Sequence, residues 1–182
     1  MIKTVATTPA ARPGFTLIQR LLLCCVVVSM LSWANHAEAA HKFKSFKLKT
    51  IDGAARTLED YKNKATLVAF FFPTCTYCNQ ALPETMKIYN KYKDRGLSMV
   101  WINVVEDEEN LIPDWQAQHQ YNVPVLVGAS QRYLQRRYNL RMTPEHYLLN
   151  SDGEILFKQR GYEDGYAEKL ETNVEKALST AP

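Results

Sequence analysis

Two cysteines, Cys75 and Cys78, stand three positions apart between an apolar run and a stretch with helical periodicity. The apolar run covers residues 67–72, and the helical stretch covers residues 79–94. This order places the first thiol at the start of a helix, where unpaired backbone N–H groups and the helix dipole favour thiolate over thiol. The spacing therefore predicts thiol-disulfide redox chemistry.

Two structural interpretations of the same pair remain open. A disulfide across so short a loop removes little chain entropy, and a domain of this size does not need such a staple. A structural zinc site needs four ligands, and none of His41, His119 and His146 lies at a metal-ligand spacing from the pair. Redox chemistry is therefore favoured over both.

Residues 1–39 have the composition of a secretory signal peptide. Three basic residues accompany an apolar stretch over residues 21–30, and residues 37–39, Ala-Glu-Ala, fit the small-x-small pattern of signal peptidase sites. The stretch is shorter than the roughly 20 residues of a bilayer span, so we expect cleavage and no permanent span in the mature chain. Cys24 and Cys25 lie inside it and would be removed.

Cleavage would leave residues 40–182 as one domain in the periplasm, where the oxidising environment makes Cys75 and Cys78 a disulfide candidate. The alternative is a signal-anchored protein that faces the periplasm from the inner membrane. Removing residues 1–39 takes three of the 22 Lys and Arg residues and one of the 19 Asp and Glu residues, so the rest is nearly neutral. We therefore expect no nucleic-acid partner.

Hydrophobic periodicity predicts alternating strands and helices. Strands are expected at residues 43–49, 67–72, 97–105, 123–127, 147–149 and 155–157, and helices at residues 79–94, 106–120, 131–138 and 167–178. Pro124 indicates that its strand either lies at an edge or starts there. The second strand, first helix and third strand form a right-handed βαβ unit with parallel strands. The acidic residues 106–109 suit a helix N-terminus.

Several segments resemble the TlpA/ResA-like thioredoxins of bacterial envelopes. They are the CxxC motif with Pro83 five residues beyond it, the Trp-Ile-Asn-Val strand at residues 101–104, and the Met-Thr-Pro-Glu segment at residues 142–145 before an Asp-Gly hairpin. The resemblance covers about residues 43–162. It implies an α/β thioredoxin-like fold: a central mixed sheet flanked by helices, with an N-terminal β-hairpin extension and a central insertion.

The resemblance also implies roles for particular residues. Thr143 and Pro144 are expected to share a cis peptide bond against the cysteine pair, leaving the loop edge free to receive a partner's backbone. Thr76 and Tyr77, between the cysteines, are further candidates for substrate positioning. Pro83 corresponds to a helix-kinking proline. No cofactor beyond the redox-active disulfide is implied.

Thiol chemistry assigns the steps. Cys75 is expected to be the nucleophile that attacks a protein disulfide, and Cys78 the thiol that resolves the mixed disulfide. The expected partners are protein disulfides or dithiols and, as the resemblance implies, a membrane protein that donates electrons. Thr76 and Tyr77 carry no cation to stabilise a thiolate, which favours a potential nearer thioredoxin than the strong oxidants.

The chain departs from the family at the position three residues after the second cysteine. Many members have a glutamate there that is thought to handle protons, and this chain has Ala81. Glu84 and Glu145 are the candidates to replace it as a proton relay.

Three alternatives to a reductase follow from the same residues. The same steps in reverse would make an oxidising thiol-disulfide interchange protein. Two thiolates at a helix start would also suit Cu(I), with Met142 as a possible third ligand, which would make the protein a copper chaperone. A pure interaction module is disfavoured because both cysteines and both prolines are present.

Overall fold

A computed structural model describes residues 41–180 of the chain, so the predicted signal peptide at residues 1–39 and its two cysteines lie outside the described residues. The strands are β1 (Lys47–Thr50), β2 (Ala55–Thr57), β3 (Ala65–Phe71), β4 (Leu97–Asn103), β5 (Val125–Val127), β6 (Glu145–Asn150) and β7 (Ile155–Arg160). The helices are α1 (Thr76–Tyr92), α2 (Ile112–His119), α3 (Gln131–Tyr138) and α4 (Tyr166–Thr180). None of the helices in this part of the chain has the length and hydropathy that a membrane crossing requires.

The strands form one mixed seven-stranded sheet in the order β2-β1-β5-β4-β3-β6-β7. β3 runs parallel to β4, and β4 parallel to β5, so the predicted βαβ unit is present. β6 pairs antiparallel with β3 on its other side, with Phe70 opposite Glu145. The carboxyl end of β3 and the amino end of β6 therefore meet at one edge of the sheet.

Both faces of β3 are fully buried, which explains its continuous apolar sequence. Alternate side chains enter two clusters. On one face Leu67 and Phe71 pack with α1 and α4, in a first cluster that includes both cysteines. On the other face Val68 and Phe70 pack with α3 and with Phe43, in a second cluster.

Most predicted elements have ends a few residues from those observed, and two differ more in extent. The strand expected over residues 43–49 forms only as β1, although Phe43 and Phe46 are buried in the second cluster. The helix expected from residue 106 is divided into a 3₁₀ turn, Glu106–Leu111, and α2. Pro113 occupies the first turn of α2, where a residue without an N–H is tolerated, and it cannot donate to a carbonyl of a continuous helix upstream.

The proline before β5 marks the start of a strand that is not at an edge. β5 lies between β1 and β4, and Pro124 directly precedes it. The carbonyl of Pro124 accepts a hydrogen bond of 2.9 Å from the Trp101 backbone N–H. Pro124 has no backbone N–H to donate to the sheet, but its carbonyl accepts a hydrogen bond from β4.

Candidate active site

Cys75 and Cys78 form a disulfide, with their Cα atoms 5.2 Å apart. Cys75 is the N-cap of α1, and its Sγ accepts a hydrogen bond of 3.2 Å from the Cys78 backbone N–H. Cys75 is 6% exposed and Cys78 is fully buried. A partner therefore reaches the sulfur of Cys75 first, at a helix terminus whose N–H groups stabilise negative charge.

The loop before β6 reaches the disulfide through Thr143. Its Oγ1 lies 3.4 Å from Cys75 Sγ, and because a disulfide sulfur carries no hydrogen, the threonine hydroxyl is the donor. The peptide bond between Thr143 and Pro144 is cis. The carbonyl of Pro144, which is buried, accepts from the Gly161 N–H at 2.7 Å. This loop is therefore fixed to β7 on one side and touches the sulfur on the other.

The two residues between the cysteines are on the surface. Thr76 and Tyr77 begin α1, and the Tyr77 side chain is 60% exposed. Thr143, which touches Cys75 Sγ, lines an open cleft of about 130 Å³ together with Phe72, Leu140 and Met142. The surface around Cys75 is thus part polar and part apolar.

Contacts that the sequence did not predict hold the segment on either side of Cys75. The backbone N–H and hydroxyl of Thr74 both donate to the carboxylate of Glu108, at 2.9 and 2.7 Å. Asn79 Nδ2 donates to the Pro73 carbonyl at 2.9 Å, and Asn79 Oδ1 accepts from the Trp115 indole N–H at 2.9 Å. Glu108 and Trp115 lie in the segment that follows β4, made of the turn Glu106–Leu111 and α2, which we call the insertion. The insertion therefore anchors both ends of the cysteine segment.

The signal that could have revealed Glu108 is its place in the chain. It follows β4, whose carboxyl end lies beside that of β3 because the two strands are parallel. The predicted role of the acidic residues 106–109 is to form a favourable first turn of a helix. That interpretation covers their charge but not the contact with Thr74.

The structure does not bring Glu145 to the cysteine pair. Side chains of a strand alternate between faces, and Tyr147 of β6 belongs to the second cluster whereas Leu148 belongs to the first with the cysteines. Glu145 shares the face of Tyr147, away from α1. The odd-numbered side chains of β6 thus face the second cluster, and the even-numbered ones face the cluster that contains the cysteines.

The carboxylate of Glu145 has other partners. It is fully buried, with Oε1 2.6 Å from Lys158 Nζ and Oε2 3.1 Å from Arg160 Nε. The hydroxyl of Tyr147 also donates to Oε1, at 2.5 Å. A buried carboxylate requires such pairing, so the structure gives Glu145 a structural role rather than that of the predicted proton relay.

Glu84 lies on α1, partly buried, and accepts a hydrogen bond of 3.3 Å from the Tyr162 hydroxyl. Its face of α1 is the one directed at α4 and the end of β7. Of the two relay candidates, Glu84 is the one on the helix that carries the cysteines.

His146 is buried on the α1 side of the sheet. The hydroxyl of Tyr166 lies 3.1 Å from its ring nitrogens and 2.8 Å from Thr85 Oγ1, which donates to the Ala81 carbonyl. Desolvation lowers the pKa of His146 to about 3, so the ring is neutral at physiological pH. This hydrogen-bonded row ties β6 to α4 and α1.

The copper alternative depends on the two cysteines and Met142. Within residues 41–180 no group of three or more His, Cys, Asp or Glu side chains is arranged to hold a metal ion. Met142 is half exposed and lines the cleft with Thr143.

The sequence model of the Redoxin family matches residues 38–178, which is more than half of the chain. The chain belongs to the Redoxin family. It is 25% identical over 147 residues to sporulation thiol-disulfide oxidoreductase A of Bacillus subtilis, covering 76% of this chain and 88% of that protein. It is 22% identical over 166 residues to thiol-disulfide oxidoreductase ResA of Bacillus cereus, covering 86% of this chain and 95% of that protein.

Solved structures share the fold of this Redoxin family member. StoA of Bacillus subtilis superposes with a TM-score of 0.58 at 24% identity, covering 74% of this chain and 98% of that one. The thioredoxin domain of a thiol-disulfide oxidoreductase from Bacteroides vulgatus gives a TM-score of 0.66 at 21% identity, covering 76% and 96%. The predicted thioredoxin-like α/β fold and the TlpA/ResA-like resemblance are confirmed. The chain is a redox enzyme, a thiol-disulfide oxidoreductase of the ResA type.

The neutral His146 predicts a stability that falls in acid. Its pKa is about 3 when folded and the ordinary 6.5 when unfolded, so the unfolded state binds more protons between these values. The stability that this difference contributes is present above pH 6.5 and is lost as the pH falls. Between pH 6 and 5 the wild type should lose about 1 kcal/mol more unfolding free energy than His146→Gln, measured by urea denaturation. If the unfolding free energy of the two proteins changed equally with pH, the neutral, buried state of His146 would be contradicted.

The ion pairs of Glu145 predict that its loss affects folding more than chemistry. Glu145→Gln removes the charge opposite Lys158 and Arg160, which are partly exposed, so we expect the unfolding free energy to fall by about 2 kcal/mol. Thiol-disulfide exchange activity of the folded variant should stay within about twofold of wild type, since the carboxylate faces away from the sulfurs. Glu84→Gln is the matched control. A tenfold loss of activity in fully folded Glu145→Gln would restore the proton-relay interpretation.

Proposed function

We propose that this protein is an exported reductase that exchanges disulfides with protein partners through Cys75 and Cys78. One observation carries the proposal. The more exposed cysteine of the pair caps a helix N-terminus, and its sulfur touches Thr143, next to the cis bond to Pro144. A disulfide that served stability alone would have no use for a helix N-terminus that stabilises negative charge on one of its sulfurs.

The reaction starts from the dithiol form. The thiolate of Cys75 attacks one sulfur of a target disulfide, a bond forms between them, and the other target sulfur leaves as a thiolate that takes up a proton. The thiolate of Cys78 then attacks Cys75 Sγ, which closes the Cys75–Cys78 disulfide and releases the second target thiol. Two electrons pass to the target, and the protein ends in the oxidised state described above.

The residues around the pair support the reducing direction. Thr76 and Tyr77 carry no cation, so neither side chain between the cysteines stabilises the thiolate, whereas the backbone N–H of Cys78 does. Strong oxidants instead stabilise their reduced form extensively. We infer a reduction potential closer to that of thioredoxin, about −270 mV, than to that of the strongest oxidants, about −120 mV. The sustained reducing direction requires an electron donor, which we infer to be a membrane protein.

Features of residues 1–39 support export to the periplasm. Their basic residues, apolar stretch and Ala-Glu-Ala segment match a cleavable signal. An oxidising compartment is also where a reductase needs an external donor. Retention at the inner membrane by an uncleaved signal is the alternative.

Trapping tests the assigned roles of the two cysteines. Cys78→Ser should accumulate a mixed disulfide with a protein substrate such as insulin, because the resolving thiol is missing. Cys75→Ser should form none, and both variants should reduce insulin at the uncatalysed rate. Non-reducing electrophoresis and mass spectrometry detect the adduct. Equilibration of the wild type with glutathione then measures the potential, and a value near about −120 mV would favour the oxidising alternative.

Processing of the N-terminus tests export. We expect the protein recovered from a bacterial periplasm to have a mass that corresponds to cleavage within a few residues of Ala39. Replacement of Ala37 and Ala39 by leucine should block cleavage, because the peptidase requires small side chains there. A full-length wild-type chain in the membrane fraction would instead support the anchored alternative.

A further inference from the structure

The turn after β4 presents a carboxylate to the residue before the nucleophile. Both oxygens of Glu108 are occupied by Thr74, one by its backbone N–H at 2.9 Å and one by its hydroxyl at 2.7 Å. Thr74 immediately precedes Cys75, and consecutive Cα atoms are about 3.8 Å apart. Chain geometry therefore keeps this negative charge within about 10 Å of Cys75 Sγ. The Debye length is about 8 Å at physiological salt, so the charge acts on the sulfur in part and more strongly at low ionic strength.

A second contact from the same insertion stops the segment from moving away. Trp115, buried in the first cluster, donates to Asn79, and Asn79 donates to the carbonyl of Pro73. The residues from Pro73 to Asn79 are thus held at both ends. The position of the Glu108 carboxylate relative to Cys75 is therefore set by several hydrogen bonds rather than by a free surface side chain.

We propose that Glu108 is a positioning residue that also makes the cysteine pair more reducing. It orders the segment carrying Cys75 through Thr74, and its negative charge disfavours the Cys75 thiolate. A less stable thiolate destabilises the dithiol form and lowers the reduction potential. The inference rests on the proposed reductase function and names the residue that adjusts it.

Several groups act on the same sulfur. The helix N-terminus and the Cys78 N–H favour the thiolate. Of the neighbouring acids in the turn, Glu106 and Asp107 are exposed, whereas Glu109 accepts from the Gly128 N–H at 2.7 Å.

Other elements packed around the pair add few charges. From the loop before β6, the exposed Arg141 lines the cleft beside Thr143 and favours the thiolate. Glu84 on α1, which accepts a hydrogen bond from Tyr162, disfavours the thiolate. His146, buried on the same side of the sheet, is neutral. Glu108 differs from all of these in being fixed to the residue next to Cys75.

Glu108→Gln tests the inference on the reduced full-length domain. Loss of the charge should lower the alkylation pKa of Cys75, measured as the pH dependence of its reaction with iodoacetamide. At a fixed pH below the midpoint we expect about two- to tenfold more thiolate. In the equilibrium of the protein disulfide with two glutathiones to give dithiol and glutathione disulfide, the constant should shift toward dithiol by the same factor or less. A tenfold shift corresponds to about 30 mV for this two-electron couple.

Two matched variants separate charge from hydrogen bonding. Glu106→Gln removes the same charge from the same turn and should shift alkylation by less than half as much. Thr74→Ala removes the hydroxyl contact but keeps the charge and the backbone contact, so it should change the alkylation midpoint less than Glu108→Gln does. Thermal unfolding of each variant in the oxidised form monitors the fold.

Three outcomes would overturn the inference. They are an unchanged or raised Cys75 midpoint in folded Glu108→Gln, a potential that becomes more negative, or an equal effect of Glu106→Gln. Failure of the proposed function appears differently, as a wild-type protein that reduces no disulfide. Because alkylation of Cys75 needs no substrate, the role of Glu108 can be judged in either case.

Discussion

The antiparallel pairing of β6 with β3 is the constraint on which the reactive site depends. Its register sets Phe70 opposite Glu145, so the chain leaves β3 toward the cysteines at the edge where it enters β6 from Thr143 and the cis bond. A slip of one residue would turn every β6 side chain to the other face, exchanging His146 and Glu145. The register therefore decides which loop meets the sulfur and which polar group lies beneath α1.

The two buried ionisable residues of β6 are accommodated in opposite ways. Glu145 is matched by Lys158, Arg160 and a tyrosine hydroxyl, whereas His146 is desolvated and neutral beside Tyr166. Both arrangements give hydrogen-bond partners to buried polar atoms. Leaving such atoms without partners would cost free energy of folding. They stabilise the sheet and helices around the site without placing a second reactive group beside the disulfide.

Thiol-disulfide exchange is reversible, so its direction depends on how strongly the protein stabilises the dithiol relative to the disulfide. The helix N-terminus at Cys75 is common to any CxxC pair in this position. The insertion adds further contacts, because its hydrogen bonds with Thr74 and Asn79 reach both ends of the cysteine segment. A segment far from the motif in sequence can thus adjust the chemistry of the motif.

The sequence by itself determined the βαβ core, the exact span of α3 and the position of Cys75 at a helix start, because these depend on local periodicity, capping and spacing. It named Thr143 and Pro144 only through the family resemblance. The tertiary structure alone decided that Glu145 faces away from the sulfurs and that Glu108 reaches Thr74. The face on which a strand side chain lies depends on the register of the sheet. The contact between Thr74 and Glu108, 34 positions apart, depends on how the insertion packs, and local sequence patterns encode neither.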